Sequence, residues 1–219
     1  MRFRKSAREV FDAWARDYHA DDMEAHHWPR VKQAFAMIPD MPGNYLEIGV
    51  GNGYGIYHMA THQFASGQCY AVDFSANMVE RAKKKTAGLN NVHIQCANFL
   101  NWRPSEPVRF SFIFSMEVFY YFNDIQAGIE RAQALLAPGG LLMVLVNFYK
   151  EHAASHAWPA QLDTPMQLWS EAEYFNAFER AGLKEIQQQH LLGHDKREED
   201  GADPGTLATW GRRGSSATD

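Results

Sequence analysis

Glu47, Gly49, Gly51 and Gly53 form the pattern E-x-G-x-G-x-G, overlapping the short apolar run Tyr45-Leu46-Glu47-Ile48. Glycine lets a backbone turn sharply and lets a ligand approach where a Cβ would collide. The residues from Ile56 to Phe64 continue as a helix whose free N–H groups face that turn. Strand, glycine turn and helix N-terminus together make a cradle of the nucleotide-binding type. The spacing excludes a dinucleotide fingerprint, because G-x-G-x-x-G would place its third glycine at Tyr54 or Ile56. Asp73 lies 20 residues beyond Gly53, at the end of a second apolar run. An acid at that strand tip accepts hydrogen bonds from ribose hydroxyls.

A second set of polar and aromatic groups follows two later apolar runs. Glu117, Tyr120 and Tyr121 come after Phe110–Ser115, and Tyr149 and His152 come after Leu141–Val146. In an open α/β sheet these residues emerge at the carboxyl ends of strands, beside the glycine turn. Glu117, Tyr120, Tyr149 and His152 are therefore the candidates for a general base. Trp28, Phe119, Tyr120, Tyr149 and Trp158 are expected to wall a pocket for a small organic molecule, with Tyr18 and Trp28 beneath a helical lid. Aromatic faces attract cations, which favours an amine slightly over a carboxylate there. His152 and His156 share a helical face, but no acid cluster supports them, so no metal is expected.

The elements that must position these groups alternate strand and helix. Residues 6–38 read as two helices, the first striped by Val10, Phe11, Trp14 and Tyr18, the second starting around Pro29. Pro39, Pro42 and Gly43 stop the second before the first strand. Gln68–Asp73 and Val92–Cys96 are further strands, and Ser75 caps the helix between them. Asn123 or Asp124 caps the helix to Leu136, and Pro138-Gly139-Gly140 turns into the strand Leu141–Val146. Asn147 to Pro165 is a long connection rich in aromatics, of the length that usually carries function. Ser170 caps a helix to Ala181, and Leu183–Leu192 and Thr206–Trp210 close the sheet across the loop Gly193–Gly205.

Glycine loop, strand-tip acid and the Leu136-x-Pro138-Gly139-Gly140 turn, in this order, resemble the class I S-adenosylmethionine-dependent methyltransferases. The layout is similar to the small-molecule group of ubiquinone-biosynthesis type. The resemblance covers about residues 40–190. It implies a Rossmann-like seven-strand sheet of order 3-2-1-4-5-7-6, last strand antiparallel, with helices on both faces and an N-terminal helical lid. It also implies S-adenosylmethionine as cofactor, S-adenosylhomocysteine as product, and a small organic acceptor methylated at an N, O or S atom. Asp73-Phe74-Ser75-Ala76-Asn77-Met78 is similar to the family's D-x-S-x-x-M, so Phe74 and Met78 are expected around adenine and ribose. Asn98 stands where the family has the aspartate that meets the adenine amino group, with Phe99 beside it. Phe11 to Tyr18 resembles the segment that closes over the cofactor, and Ser115 completes the expected cofactor set with Glu47 and the three glycines.

The expected division is a lid over residues 1–40, a methyltransferase domain over 41–212 and a mobile tail over 213–219. Hydrophobic residues make up 46% of the 219, enough for a core, and no apolar run approaches the ~18 residues of a membrane span. A net charge of −5 argues against a general binder of nucleic-acid phosphates. Cys69 and Cys96 lack metal-ligand spacing and read as reduced thiols of a cytoplasmic protein. The alternatives are an RNA or protein methyltransferase, for which the expected cysteine or Asn-Pro-Pro motifs are missing, and a catalytically silent partner subunit.

Overall fold

The computed structural model describes residues 3–17, 19–193 and 203–215. The chain begins with α1 (Ala7–Trp14) and α2 (His19–Ala36), then runs through β1 (Tyr45–Ile48), α3 (Tyr54–Thr61), β2 (Cys69–Asp73), α4 (Ala76–Lys85) and β3 (Val92–Cys96). It continues with β4 (Phe110–Met116), α5 (Ile125–Leu135), β5 (Leu136–Val146), α6 (Trp158–Leu162), α7 (Glu171–Arg180), β6 (Lys184–Leu191) and β7 (Thr206–Arg212). The helix starts follow local chemistry. Ser6 and Ser170 close capping boxes with Glu9 and Glu173, while Ser75 and Asp124 accept from Met78 N and Ala127 N. Each such cap satisfies a backbone donor that the first turn leaves without an intrahelical partner.

The seven strands lie in the order β3-β2-β1-β4-β5-β7-β6. β1 to β5 are parallel, and β7 runs antiparallel to both β5 and β6, as expected from the sequence. Alternate residues of the strands point to opposite faces. One face carries Tyr45, Ala71, Phe112, Phe114, Met143 and Leu145 against α2, α3 and α4. The other carries Leu46, Ile48, Ile113, Leu142 and Val144 against α5 and α7. Both faces are covered, so the central strands are apolar throughout.

Two boundaries differ from the expectation. α2 starts at His19, ten residues before Pro29, and passes through that proline. Proline removes one intrahelical bond, but Ala20 on one side and Val31, Ala34 and Phe35 on the other are buried, and this packing holds the helix across the gap. β5 includes Pro138–Gly140 instead of starting at Leu141. Its pairing to β4 shifts between Phe110 and Phe112, a bulge that absorbs the proline-glycine turn. At the carboxyl end, Arg213 still pairs, its N–H donating to Gly140 O at 2.8 Å. The rest of the expected tail, from residue 216, lies outside the described residues.

Candidate functional site

A cavity opens at the carboxyl ends of β1, β2 and β4. Its floor is the turn after β1. Gly51 has φ +51° and an added Cβ would meet nothing within 4 Å, so its open side faces space that a ligand can enter. Gly53 has φ +91° and the opposite constraint, since a Cβ there would lie 2.8 Å from Ala82 Cα. The first glycine thus keeps room for a ligand and the second lets α4 pack against the turn.

Asp73 secures this turn from the neighbouring strand. It is 7% exposed, and its carboxylate accepts from Gly51 N at 3.0 Å and Ser75 N at 2.9 Å. Burial pushes its pKa up to about 6, against the lowering effect of those backbone donors. Glu47, on β1, accepts from Tyr45 Oη–H at 3.1 Å and is pushed up to about 8, mainly by burial. Phe74, Ala97 and Phe99 add apolar walls at this end. An open glycine turn, a buried strand-tip carboxylate and an apolar slot suit an adenosyl group bearing ribose hydroxyls.

The other end of the cavity is built on Glu117, the first residue after β4. It has φ +59°, a left-handed backbone that costs a non-glycine residue about 1–2 kcal/mol. Strain of this kind collects at functional sites, where the surroundings hold it in place. Here Tyr120 Oη–H donates to Oε2 at 2.8 Å and the Asn147 N–H donates to Oε1. Burial raises the Glu117 pKa to about 7. Tyr54, Tyr121, Phe122 and His27 stand around it along the cavity wall. Burial raises the phenol pKa values of Tyr54 and Tyr121 and lowers that of His27 to about 4, so all three are neutral near pH 7.

α1 and the first half of α2 cover the cavity. Phe11, Ala20, Met23 and His27 line it, and the Phe11 ring meets Tyr121 at 5.3 Å and Phe74 at 6.1 Å, both edge-on. Polar ties fasten these helices to the fold beneath. Ser75 Oγ–H donates to Asp12 Oδ1 at 2.5 Å, and Arg81 and Lys85 of α4 pair with Asp21 and Glu24. Asn52, buried in the glycine turn, donates to Ala20 O at 3.0 Å and Glu24 Oε2 at 2.8 Å.

Of the residues expected from sequence, Glu47, Gly49, Gly51, Asp73, Phe74, Asn98, Phe99 and Glu117 converge on this cavity. The others lie elsewhere. Gly53 packs on Ala82, and Met78 is buried with Ala15 and Ala20 under α1. Ser115 Oγ–H donates to Ile48 O at 2.9 Å, tying β4 to β1. Tyr120 reaches the site only through Glu117, and Phe119 is fully buried in the core beside Phe122. Tyr149 Oη–H donates to Gly205 O at 2.9 Å, while His152 bonds Asn147 O at 2.7 Å and lies 3.4 Å from Asp203. Trp28 packs edge-on against Tyr54 and Trp158 stacks on Phe148, neither lining the cavity. Tyr18 lies outside the described residues. Asn98 Oδ1 already accepts from Leu100 N at 3.0 Å, so its second lone pair and its amide group are what it can offer a ligand.

Three residues of the site escaped the sequence reading. Tyr54 precedes the helix expected from Ile56, yet it opens α3. Met23 and His27 lie six and two residues ahead of Pro29, in a stretch the sequence did not mark as helical. Asp21 and Asp22, acids suited to a first helical turn, were the available signal.

Comparison with known proteins agrees with this geometry. A family model described as "Methyltransferase domain" matches residues 16–188. The malonyl-[acyl-carrier protein] O-methyltransferase of Priestia megaterium is 28% identical over 132 residues, 57% of this chain and 47% of the relative. The trans-aconitate 2-methyltransferase of Sinorhizobium fredii is 28% identical over 115 residues, 52% of this chain and 42% of the relative. The chain thus spans about half the length of these curated relatives. Among solved structures, a chain from the complex between the Haloferax volcanii Trm112 methyltransferase activator and a methyltransferase is 28% identical, with a TM-score of 0.84 over 93% of this chain and 97% of that one. The N-methyltransferase NodS from Bradyrhizobium japonicum, solved with S-adenosylhomocysteine, shares the fold at 19% identity, with a TM-score of 0.71 over 95% of this chain and 99% of that one. With its strand order, its glycine turn and a family match that runs through most of its length, the chain belongs to the class I S-adenosylmethionine-dependent methyltransferases.

Proposed function

We propose that this chain transfers a methyl group from S-adenosylmethionine to a small organic acceptor. The observation that carries the reading is the pairing of an open Gly51 turn with the buried Asp73 carboxylate that accepts its N–H. In this reading Asp73 holds the ribose, Glu47 faces the positively charged end of the cofactor, and Phe74, Asn98 and Phe99 bound the adenine. The cofactor supplies a methyl group already activated by the sulfonium charge. The chain's own residues then have to orient the acceptor, exclude water and take up a proton where the acceptor carries one. Glu117 is the candidate for that last role, because it alone of the four proposed bases lines the cavity. α1 and the first half of α2 act as the lid.

Calorimetry with S-adenosylhomocysteine tests the cofactor assignment. Asp73→Ala removes charge-assisted hydrogen bonds and should weaken binding by about 10- to 100-fold, or about 1.5–3 kcal/mol. Unchanged affinity in a folded variant would reject it. An acceptor panel of amines, phenols, carboxylates and thiols, scored by S-adenosylhomocysteine formation, tests the small-molecule reading. The likeness to a chain solved with a methyltransferase activator favours one variant of this reading, in which a small partner protein supports the enzyme. Pull-down from the source cell would show a stoichiometric partner in that case. Cytoplasmic action is part of the proposal, and the unpaired thiols Cys69 and Cys96 are compatible with a reducing compartment.

A further inference from the structure

We propose that the acceptor is an amine that arrives as a cation, and that Glu117 holds it and receives its proton. This rests on the methyltransferase reading above. The charge inventory of the cavity is the first support. Among the described lining residues the acids are Glu47, Asp73 and Glu117, and none is Lys or Arg. Glu47 and Asp73 belong to the glycine-turn end, where the methyl donor itself brings positive charge. Glu117 follows β4 and stands beyond them, an acid in excess of what the donor uses.

The second support is how Glu117 is held. Each carboxylate oxygen accepts one neutral donor, the Asn147 N–H on Oε1 and the Tyr120 hydroxyl on Oε2. A carboxylate has about four acceptor positions, so both oxygens can accept again. Tyr120 and Tyr121 from the turn after β4, Tyr54 from α3 and His27 from α2 stand nearest it, and the charge of Arg30 on α2 acts on it from farther off. Arg30 is the one cation of that set, and its guanidinium packs against Gly193 and donates to His26 O at 2.7 Å instead of lining the cavity. The walls are aromatic: Phe11, Tyr54, Tyr121 and Phe122. Rings around a buried carboxylate match an ammonium, which gains from both. A carboxylate acceptor, such as the name trans-aconitate 2-methyltransferase implies for that relative, would put a second negative charge beside Glu117.

The proton and electron balance is simple. Glu117 takes one proton from the ammonium, which frees the nitrogen lone pair. That pair forms the new N–C bond to the methyl group while the donor's S–C bond breaks, and the bonding electrons stay on sulfur. The methylated amine leaves as a cation, and Glu117 returns its proton to water.

The test is calorimetry on the protein loaded with S-adenosylhomocysteine, using phenethylamine and N-methylphenethylamine against the matched carboxylate 3-phenylpropanoate. The amines should bind at least about tenfold more tightly than the carboxylate. Glu117→Gln should lower amine affinity by at least about tenfold while S-adenosylhomocysteine affinity stays within about twofold. If the variant does not fold, the comparison on the unaltered chain decides alone. Carboxylate binding equal to or tighter than amine binding, no amine binding at millimolar concentration, or an unaltered amine affinity in folded Glu117→Gln would overturn the proposal. Failure to bind S-adenosylhomocysteine would instead overturn the methyltransferase reading on which it rests.

Discussion

Glu117 pays for its position in two ways, through burial and through a left-handed backbone. Its pKa is raised from 4.5 to about 7 by burial, so near neutral pH the ligand-free fold holds both the carboxylate and the protonated form. The sign of the pH effect follows. A group whose folded pKa lies above its unfolded value contributes stability that is fully present below the unfolded value and is lost as pH rises through the folded one. For Glu117 that window is pH 4.5 to about 7. Glu117→Gln keeps the shape and removes the titration, so at pH 8 the ligand-free variant should be more stable than the original by about 1–3 kcal/mol. At pH 4.5 the difference should nearly vanish. Urea melts of both proteins at the two pH values check this, and equal midpoints at pH 8 would show that the carboxylate is better solvated than its burial indicates.

At the scale of elements, the glycine turn is where strand, ligand and helix compete for the same space. Gly53→Ala would bring a Cβ to 2.8 Å from the Ala82 backbone, in a left-handed conformation. It should destabilise the fold by about 2–4 kcal/mol through overpacking and strain. Gly51→Ala meets no atom within 4 Å and should cost only the backbone strain, about 1–2 kcal/mol, yet lose cofactor affinity because the new methyl projects into the cavity. Thermal melts with and without S-adenosylhomocysteine separate the two outcomes. This turn was also the most legible part of the sequence, since glycine spacing and an acid at a strand tip are local signals. The succession of strands and helices was legible for the same reason, since apolar runs, caps and turns alternate along the chain, and the strand order came with the family resemblance. The acceptor end was less so. Aromatic residues after β4 and β5 look alike in sequence, but Tyr149 turns to Gly205 O and Phe119 turns into the core, while Tyr54 and His27 reach the cavity from helices. Which way a ring points after a strand end depends on partners far along the chain. The start of α2 was missed because Pro29 reads as a helix start when the tertiary contacts that carry the helix through it are unseen.

Across the whole molecule, the covering helices are held less extensively than the sheet. Two large apolar clusters join the sheet to its helices, whereas α1 and the front of α2 meet α4 through the small cluster of Ala15, Ala20 and Met78 and through Ser75–Asp12, Arg81–Asp21 and Lys85–Glu24. Partly exposed ion pairs contribute about 0–1 kcal/mol each. The double variant Arg81→Ala, Lys85→Ala should therefore leave the global melting midpoint within a few degrees, while amide exchange in residues 7–17 and 19–28 speeds up and S-adenosylhomocysteine dissociates faster. Uniform acceleration of exchange through β1 and β4 would contradict a local release of the covering helices. The left-handed backbone at Glu117 has a consequence for how such a sequence can drift. Glycine and asparagine adopt that conformation with less strain than glutamate, and neither buries a charge. In a mutant library selected for heat resistance alone, position 117 should be among the first to be replaced, and by one of those two residues. In a library selected for turnover the acid should persist against that pull, so sequencing both pools would read from one codon whether the site or the fold sets the residue.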